Sequence, residues 1–265
     1  MTAHHIRLDI DGEGIATLTI DRGEKRNAMT YAMLGAFHEA IARVGADPAA
    51  RVLIVTGVPG SFCAGTDLSD LQDTPSDQRG SRSGTRSSGS DALAWPLMRL
   101  PKPVIGAIDG AAMGMGAEFT SQCDVRIMST RARIAWNFGQ RGLVPDTGAG
   151  SWLLPRLIGP QRALRLLFSA AFLEAEEALR IGYAHQVVEP EALQEAARAE
   201  ARLYLKTSPF SAARAKELVW KGLERDVAEH MTHHLAAMAE CFASEDHKEG
   251  VASFLERRPA VFTGR

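Results

Sequence analysis

Three things are scarce in this sequence: cysteine, net charge and long apolar runs. Only Cys63, Cys123 and Cys241 occur in 265 residues, and their spacing fits no metal site. A disulfide-built scaffold is thereby excluded, and free thiols in a reducing compartment are implied. The formal net charge is −2 at pH 7, which offers nucleic acid no basic face. No stretch approaches the roughly 20 apolar residues of a membrane span. The first five residues, MTAHH, lack the apolar stretch of a signal peptide. The expectation is a cytoplasmic protein with neither a nucleic-acid nor a membrane partner.

What is present has the balance of a globular protein, with 45% hydrophobic and 23% charged residues. The length suits one large domain, or one domain with a helical tail. Residues 6–10 (IRLDI) and 15–20 (IATLTI) alternate apolar with polar around an Asp-Gly turn, and predict a hairpin. Thr30 is placed to cap a helix reaching about Val44, with Met33, Leu34, Phe37 and Ile41 on one face. Buried strands are predicted over 51–56, 104–108 and 125–128. Strand, turn and helix alternate to about residue 158, which indicates an α/β core. From about residue 160 the pattern reads as helical throughout. There Met231, Leu235, Met238 and Phe242 recur at helical spacing and are expected to be buried. Residues 73–91 lack large apolar side chains and read as a loop, placed where it could cover a site.

Two glycine-rich turns carry the chemical signal. Residues 61–68 (SFCAGTDL) contain Gly65, and a short helix is expected to start near Asp67. Residues 109–118 (DGAAMGMGAE) lie between a buried strand and a helix, with Gly114 and Gly116 allowing close approach by a ligand. The free amides of a helix start stabilise an anion. The lysine of a nucleotide P-loop is missing. Glu118, in the first turn of the second helix, either complements the helix dipole or serves as an acid/base whose pKa burial raises toward neutrality. Asp146, after Pro145, reads by default as the cap of the next helix. Cys63 reads as packing, and His230 and His234, one turn apart, as solvated or interfacial histidines.

Taken in order, residues 21–29 (DRGEKRNAM), 62–68 (FCAGTDL), 101–110 (PKPVIGAIDG), 114–118 (GMGAE), Cys123-Asp124, 142–146 (GLVPD) and 254–262 (FLERRPAVF) resemble the crotonase superfamily, the enoyl-CoA hydratase/isomerase family. The resemblance runs through nearly the whole chain. It implies an α/β fold, a spiral of ββα repeats over residues 1–200 with a C-terminal helical trimerisation region over 201–265. It implies trimers or pairs of trimers, an acyl-CoA thioester substrate, no metal, and no cofactor beyond the coenzyme A of that substrate. By position, the thioester oxygen would lie between the backbone amides of Thr66 and Met115. The adenine end would lie near Ala28 and Ala64, with Asp67 and Leu68 lining the same turn. Arg26 and Lys25 would approach the phosphates. Glu118 and Asp146 would be the catalytic carboxyls.

One position departs from the family's hydratase pattern. The second glutamate of the two-glutamate hydratases would fall at Phe138, and phenylalanine carries no proton. Asp146 stands where some family isomerases use an aspartate in proton transfer. Double-bond isomerisation of an enoyl-CoA is therefore the favoured expectation. Hydration, with Asn137 or Gln140 assisting Glu118, is the alternative, and a non-catalytic acyl-CoA-binding protein is a further one.

Overall fold

The computed structural model describes residues 2–72 and 95–265. The stretch 73–91, read above as a loop that could cover a site, lies outside them. Eleven strands are described: β1 Thr2–Ala3, β2 Ile6–Ile10, β3 Ile15–Ile20, β4 Val52–Gly57, β5 Ser61–Cys63, β6 Val104–Ile108, β7 Ala111–Met113, β8 Val125–Ser129, β9 Arg133–Ala135, β10 Leu173–Glu174 and β11 Gln186–Val188. They form a seven-stranded sheet in the order β1-β2-β3-β4-β6-β8-β11 and a four-stranded sheet in the order β10-β9-β7-β5. Strands β3 to β11 of the large sheet are parallel. Each of the pairs β4/β5, β6/β7 and β8/β9 gives one strand to each sheet. The chain thus climbs in a spiral of repeats, each ending at a helix or turn on the same edge.

Side-chain alternation explains why the middle strands are buried on both faces. On β4, Leu53 and Val55 enter the main core, while Val52 and Ile54 meet a second cluster on the other face. β6 divides the same way, with Val104 and Ile108 on one side and Ile105 and Ala107 on the other. The Leu193–Leu205 helix closes that second face with Leu193, Ala197 and Ala201. Each large apolar side chain withdrawn from water contributes about 1.5–3 kcal/mol. The main core is capped by the Tyr31–Ala46 helix, which presents Met33, Leu34, Phe37 and Ile41 and starts where the Thr30 hydroxyl accepts from the Met33 amide at 3.1 Å.

The predicted strands over 6–10, 15–20 and 104–108 form over those residues. Two expectations are corrected, on the region after 160 and on the Met231 stripe. The region after 160 is not wholly helical, because β10 and β11 complete the two sheets; two or three residues are too few to show a period. The boundary at 200 falls inside the Leu193–Leu205 helix, which packs on the sheet, and the outlying helices begin at Pro209. The Met231 stripe is not buried: Met231, Leu235, Met238 and Phe242 are 44%, 62%, 42% and 61% exposed. Their helix, Val227–Ala243, packs against its neighbours Pro209–Gly222 and Glu245–Glu256 and turns the stripe outward. Helical spacing reveals an apolar face, and another surface is needed to cover it. Among the described residues no helix is long and apolar enough to cross a membrane.

Two polar anchors fasten the repeats. Asp109, at the end of β6, accepts from the Gly60 amide, the Ser129 hydroxyl and the Arg131 guanidinium at 2.6 to 2.8 Å. Burial pushes its carboxyl up, but these three partners outweigh burial and hold the pKa at about 2. Lys216, on the Pro209–Gly222 helix, donates to Asp124 Oδ2 at 2.7 Å and to the carbonyls of Leu97 and Lys102 at 3.0 Å. Asp124 also accepts from the Val104 amide and the Trp220 indole. This cluster ties the outer helices to the spiral.

Candidate active site

Parallel pairing of β5 with β7, and of β7 with β9, sets three consecutive loops side by side. The first follows β5 and holds residues 64–67. The second follows β7 and opens the Met115–Gln122 helix. The third follows β9 and runs through Phe138 to the Ala149–Ile158 helix. The Gly114 amide donates to the Ala135 carbonyl at 2.9 Å and ties the second loop to the end of β9, where the third loop begins.

Gly65 makes the first turn possible. Its φ is +97°, and a Cβ there would lie 2.9 Å from the Met113 carbonyl oxygen and 3.7 Å from the Met115 nitrogen. Both the left-handed conformation and the close approach demand glycine. The next residue, Thr66, forms a parallel bridge with Met29. Its flanking groups are spent on that bridge: Gly65 O accepts from Met29 N, and Asp67 N donates to Met29 O, each at 2.8 Å. Met115 is the first residue of its helix, where an amide has no partner within the helix. Among the described residues, the Thr66 and Met115 amides have no hydrogen-bond acceptor. Each of the two adjacent turns thus presents one unspent backbone donor.

Glu118 stands one turn into that helix and is fully buried. The Thr147 hydroxyl donates to its Oε2 at 2.7 Å, while Oε1 has no partner among the described residues. Burial drives its pKa up to about 8, against the Thr147 hydrogen bond; the nearby charge of Asp146 adds to the rise. The Ala149 and Gly150 amides oppose it from beyond hydrogen-bond geometry. Asp146 is half-buried as a residue, but its Oδ1 is out of solvent and likewise without a partner. Burial raises its pKa to about 6, opposed by the backbone amides of Thr147 and of Asp146 itself. Burial thus raises both carboxyls above their ordinary range, Glu118 the further of the two.

Asp146 was expected to cap the next helix, and it does not. The Ala149–Ile158 helix has Gly148 at its N-cap position, and the Thr147 hydroxyl oxygen accepts from the Ala149 amide at 3.3 Å. A carboxylate in the turn before a helix is released when the neighbouring residue takes over the cap. Phe138 is buried, and a Cβ on Gly114 would sit 3.8 Å from its ring. An apolar ring thus lines the second loop where a second glutamate was sought. Asn137 is buried beside it, whereas Gln140 is exposed.

The remaining expected site residues cluster around the first loop. The Arg26 carbonyl accepts from the Ala64 amide at 3.0 Å and from the Ser61 hydroxyl at 2.9 Å, which brings residues 25–28 against residues 61–64. Lys25 and Arg26 are exposed there, with Ala28 and Ala64 half-buried beside them. Leu68 opens its short helix and is 54% exposed. Asp67, expected on the same turn, is engaged within the protein. Its carboxylate pairs with Arg22 at 2.7 Å and accepts from the Ser69 amide at 3.0 Å, so it braces the turn. Cys63 is buried, and burial pushes its thiol up to about 12, as suits packing. Thr147, Gly150 and Trp95 escaped notice in the sequence. Thr147 sat in a Gly/Thr/Gly-rich stretch beside a carboxylate that drew the capping role.

The family of enoyl-CoA hydratases/isomerases matches residues 11–265. The chain is 35% identical over 258 residues to the crotonyl-CoA hydratase of Syntrophomonas wolfei, covering 96% of each chain. It is 34% identical over 254 residues to the 1,2-epoxyphenylacetyl-CoA isomerase of Escherichia coli, again covering 96% of each. Among solved structures, an enoyl-CoA hydratase from Bacillus anthracis superposes with a TM-score of 0.90 at 27% identity, over 99% of this chain and 100% of that one.

Proposed function

The chain belongs to the enoyl-CoA hydratase/isomerase family, and we propose that it moves the double bond of an enoyl-CoA by proton transfer through a thioester enolate. The observation that carries this reading is the pair of buried carboxyls, Glu118 and Asp146, each with an unpartnered oxygen and with pKa values of about 8 and about 6. Environments that push two carboxyls apart assign one as acid and one as base. In this reading the ionised Asp146 removes a proton from the α-carbon of a 3-enoyl-CoA. The electron pair moves to the thioester oxygen, held by the Thr66 and Met115 amides. The dienolate collapses as Glu118 gives its proton to the γ-carbon, yielding the 2-enoyl-CoA. A proton leaves one carbon for Asp146 and another arrives at a second from Glu118, so no activated water is required, and return of a proton from Asp146 to Glu118 restores both groups for the next turnover. One oxyanion-hole donor is typically worth about 3 kcal/mol of transition-state stabilisation.

The substrate's coenzyme A would run past Ala28 and Ala64 to the exposed Lys25 and Arg26, and no further cofactor is needed. The exposed stripe of Met231, Leu235, Met238 and Phe242 supports assembly into trimers or pairs of trimers, to be tested by sedimentation velocity.

Hydration is the second reading, favoured by the hydratase names of several relatives. The two separate cleanly. Given a 3-enoyl-CoA, an isomerase creates the conjugated thioester absorbance; given a 2-enoyl-CoA, a hydratase removes it. Isomerisation also requires that Glu118→Gln and Asp146→Asn each lower kcat by about 10²-fold or more while acyl-CoA binding persists. Full turnover in both variants sinks the reading.

A further inference from the structure

Glu118 is held by a chain of two hydrogen bonds that begins on another element. The Trp95 indole N–H donates to the Thr147 carbonyl at 2.8 Å. The Trp95 ring is 2% exposed, packs with Ala149 and Leu153, and stacks obliquely on Trp152 at 5.4 Å. Thr147 is therefore pinned through its backbone. Its hydroxyl oxygen accepts from the Ala149 amide, so the hydroxyl hydrogen points away from that amide and onto Glu118 Oε2.

This fixes more than position. An oxygen that already accepts a hydrogen bond is the poorer home for the carboxyl's own proton. The acid proton of neutral Glu118 is accordingly directed to Oε1, the oxygen without a partner. We propose that Thr147 is a positioning residue for proton transfer, which engages Oε2 so that Oε1 alone exchanges the proton, and that Trp95 holds Thr147 in place. The inference rests on the reading that Glu118 acts as an acid.

Among the described residues, the titratable and charged groups on the elements packed against the Glu118 helix are few. Asp146, on the preceding loop, is the charged one. Cys63, on β5, is buried and stays a neutral thiol. Arg99 and Arg156, on the two helices that also pack against the Met115–Gln122 helix, are exposed, and Arg156 lies over the Trp152 ring.

The experiment compares Thr147→Val, Thr147→Ser and Trp95→Phe with the parent enzyme. One readout is the pH profile of turnover on a 3-enoyl-CoA. The other is the infrared band of the protonated Glu118 carboxyl, identified by its loss in Glu118→Gln. Loss of the donor removes a bond that favours the ionised form, so in Thr147→Val the alkaline limb and the band's titration both move to higher pH. Its kcat falls about tenfold, the size of one hydrogen bond to an ionisable group, with KM within twofold. Thr147→Ser restores the parent profile, and Trp95→Phe moves it in the direction of Thr147→Val. An unmoved band and limb in Thr147→Val overturns the proposal, as does a serine variant no better than valine. Should Thr147→Val fail to fold, an unmoved limb in Trp95→Phe overturns it equally. A shifted band with unchanged turnover refutes the positioning role alone, whereas full turnover in Glu118→Gln removes the acid reading beneath it.

Discussion

Gly150 and Glu118 occupy space that admits no methyl group between them: a Cβ on Gly150 would collide with Glu118 Oε1 and come within 2.8 Å of Trp136 Cδ1. The glycine, on the first turn of the Ala149–Ile158 helix, is what lets that helix lie against the carboxyl. Gly150→Ala should raise intrinsic helix propensity, which ordinarily favours a helix by about 1 kcal/mol. Here we expect the opposite balance, because the carboxyl must turn away. Turnover should fall at least 10²-fold with acyl-CoA binding changed much less, and a variant with parental kcat would show that the contact is tolerated.

The paired carboxyls set the pH response. The acid–base reading needs Asp146 ionised and Glu118 protonated. Activity should rise as pH passes about 6 and fall as it passes about 8. The two limbs belong to the pair as a unit. Asp146→Asn should abolish the acidic limb along with most of the activity. A profile of kcat/KM flat from pH 5 to 9 would contradict this assignment.

The same shifts act on stability. A buried carboxyl whose pKa lies above its unfolded value binds more protons folded than unfolded. Its folded form therefore loses stability as pH rises from the unfolded value, near 4.5 for Glu118, through about 8. Glu118→Gln removes that ionisation. At pH 9 the variant should melt above the parent by at least about 2–4 °C, the counterpart of about 1 kcal/mol in a domain of this size. At pH 5 the two should melt close together, and a variant that melts lower at pH 9 would reverse the sign.

Asp109 has the opposite sign. Its carboxyl is held near 2, so its contribution is present above the unfolded value of about 3.8 and is lost as pH falls through about 2. Asp109→Ala leaves the Gly60 amide, the Ser129 hydroxyl and Arg131 without their acceptor. The expected cost at pH 7 is about 2 kcal/mol by denaturant melts, shrinking toward acid. An equal deficit at every pH would mean that charge plays no part.

Lys216 joins the outer helices to the spiral through Asp124. Lys216→Met leaves that carboxylate without its cation and empties two backbone carbonyls of their donor. Breaking one side of a buried ion pair costs about 3–5 kcal/mol. Hydrogen exchange should quicken first across residues 209–222, ahead of the strands. Uniform quickening through the chain would place the effect elsewhere.

Much of this was readable in one dimension. The alternation over 6–10 and 15–20, the apolar run at 104–108 and the Thr30 cap report local preferences, and each element forms where those preferences put it. The glycine-rich turns were readable because Gly65 meets a backbone demand that few other side chains satisfy. Strands β5, β7 and β9 were not, since three residues show no period. Yet their pairing is what makes neighbours of Thr66, Met115 and Phe138. The sequence marked Glu118 and Asp146 as carboxyls in suspicious places, while only the tertiary structure freed Asp146 from capping and gave Glu118 a partner in Thr147. It also left the Met231 stripe uncovered. The dividing line is physical: a residue's conformational preference travels with the chain, whereas burial, pKa and hydrogen-bond partnership belong to whatever the fold brings alongside.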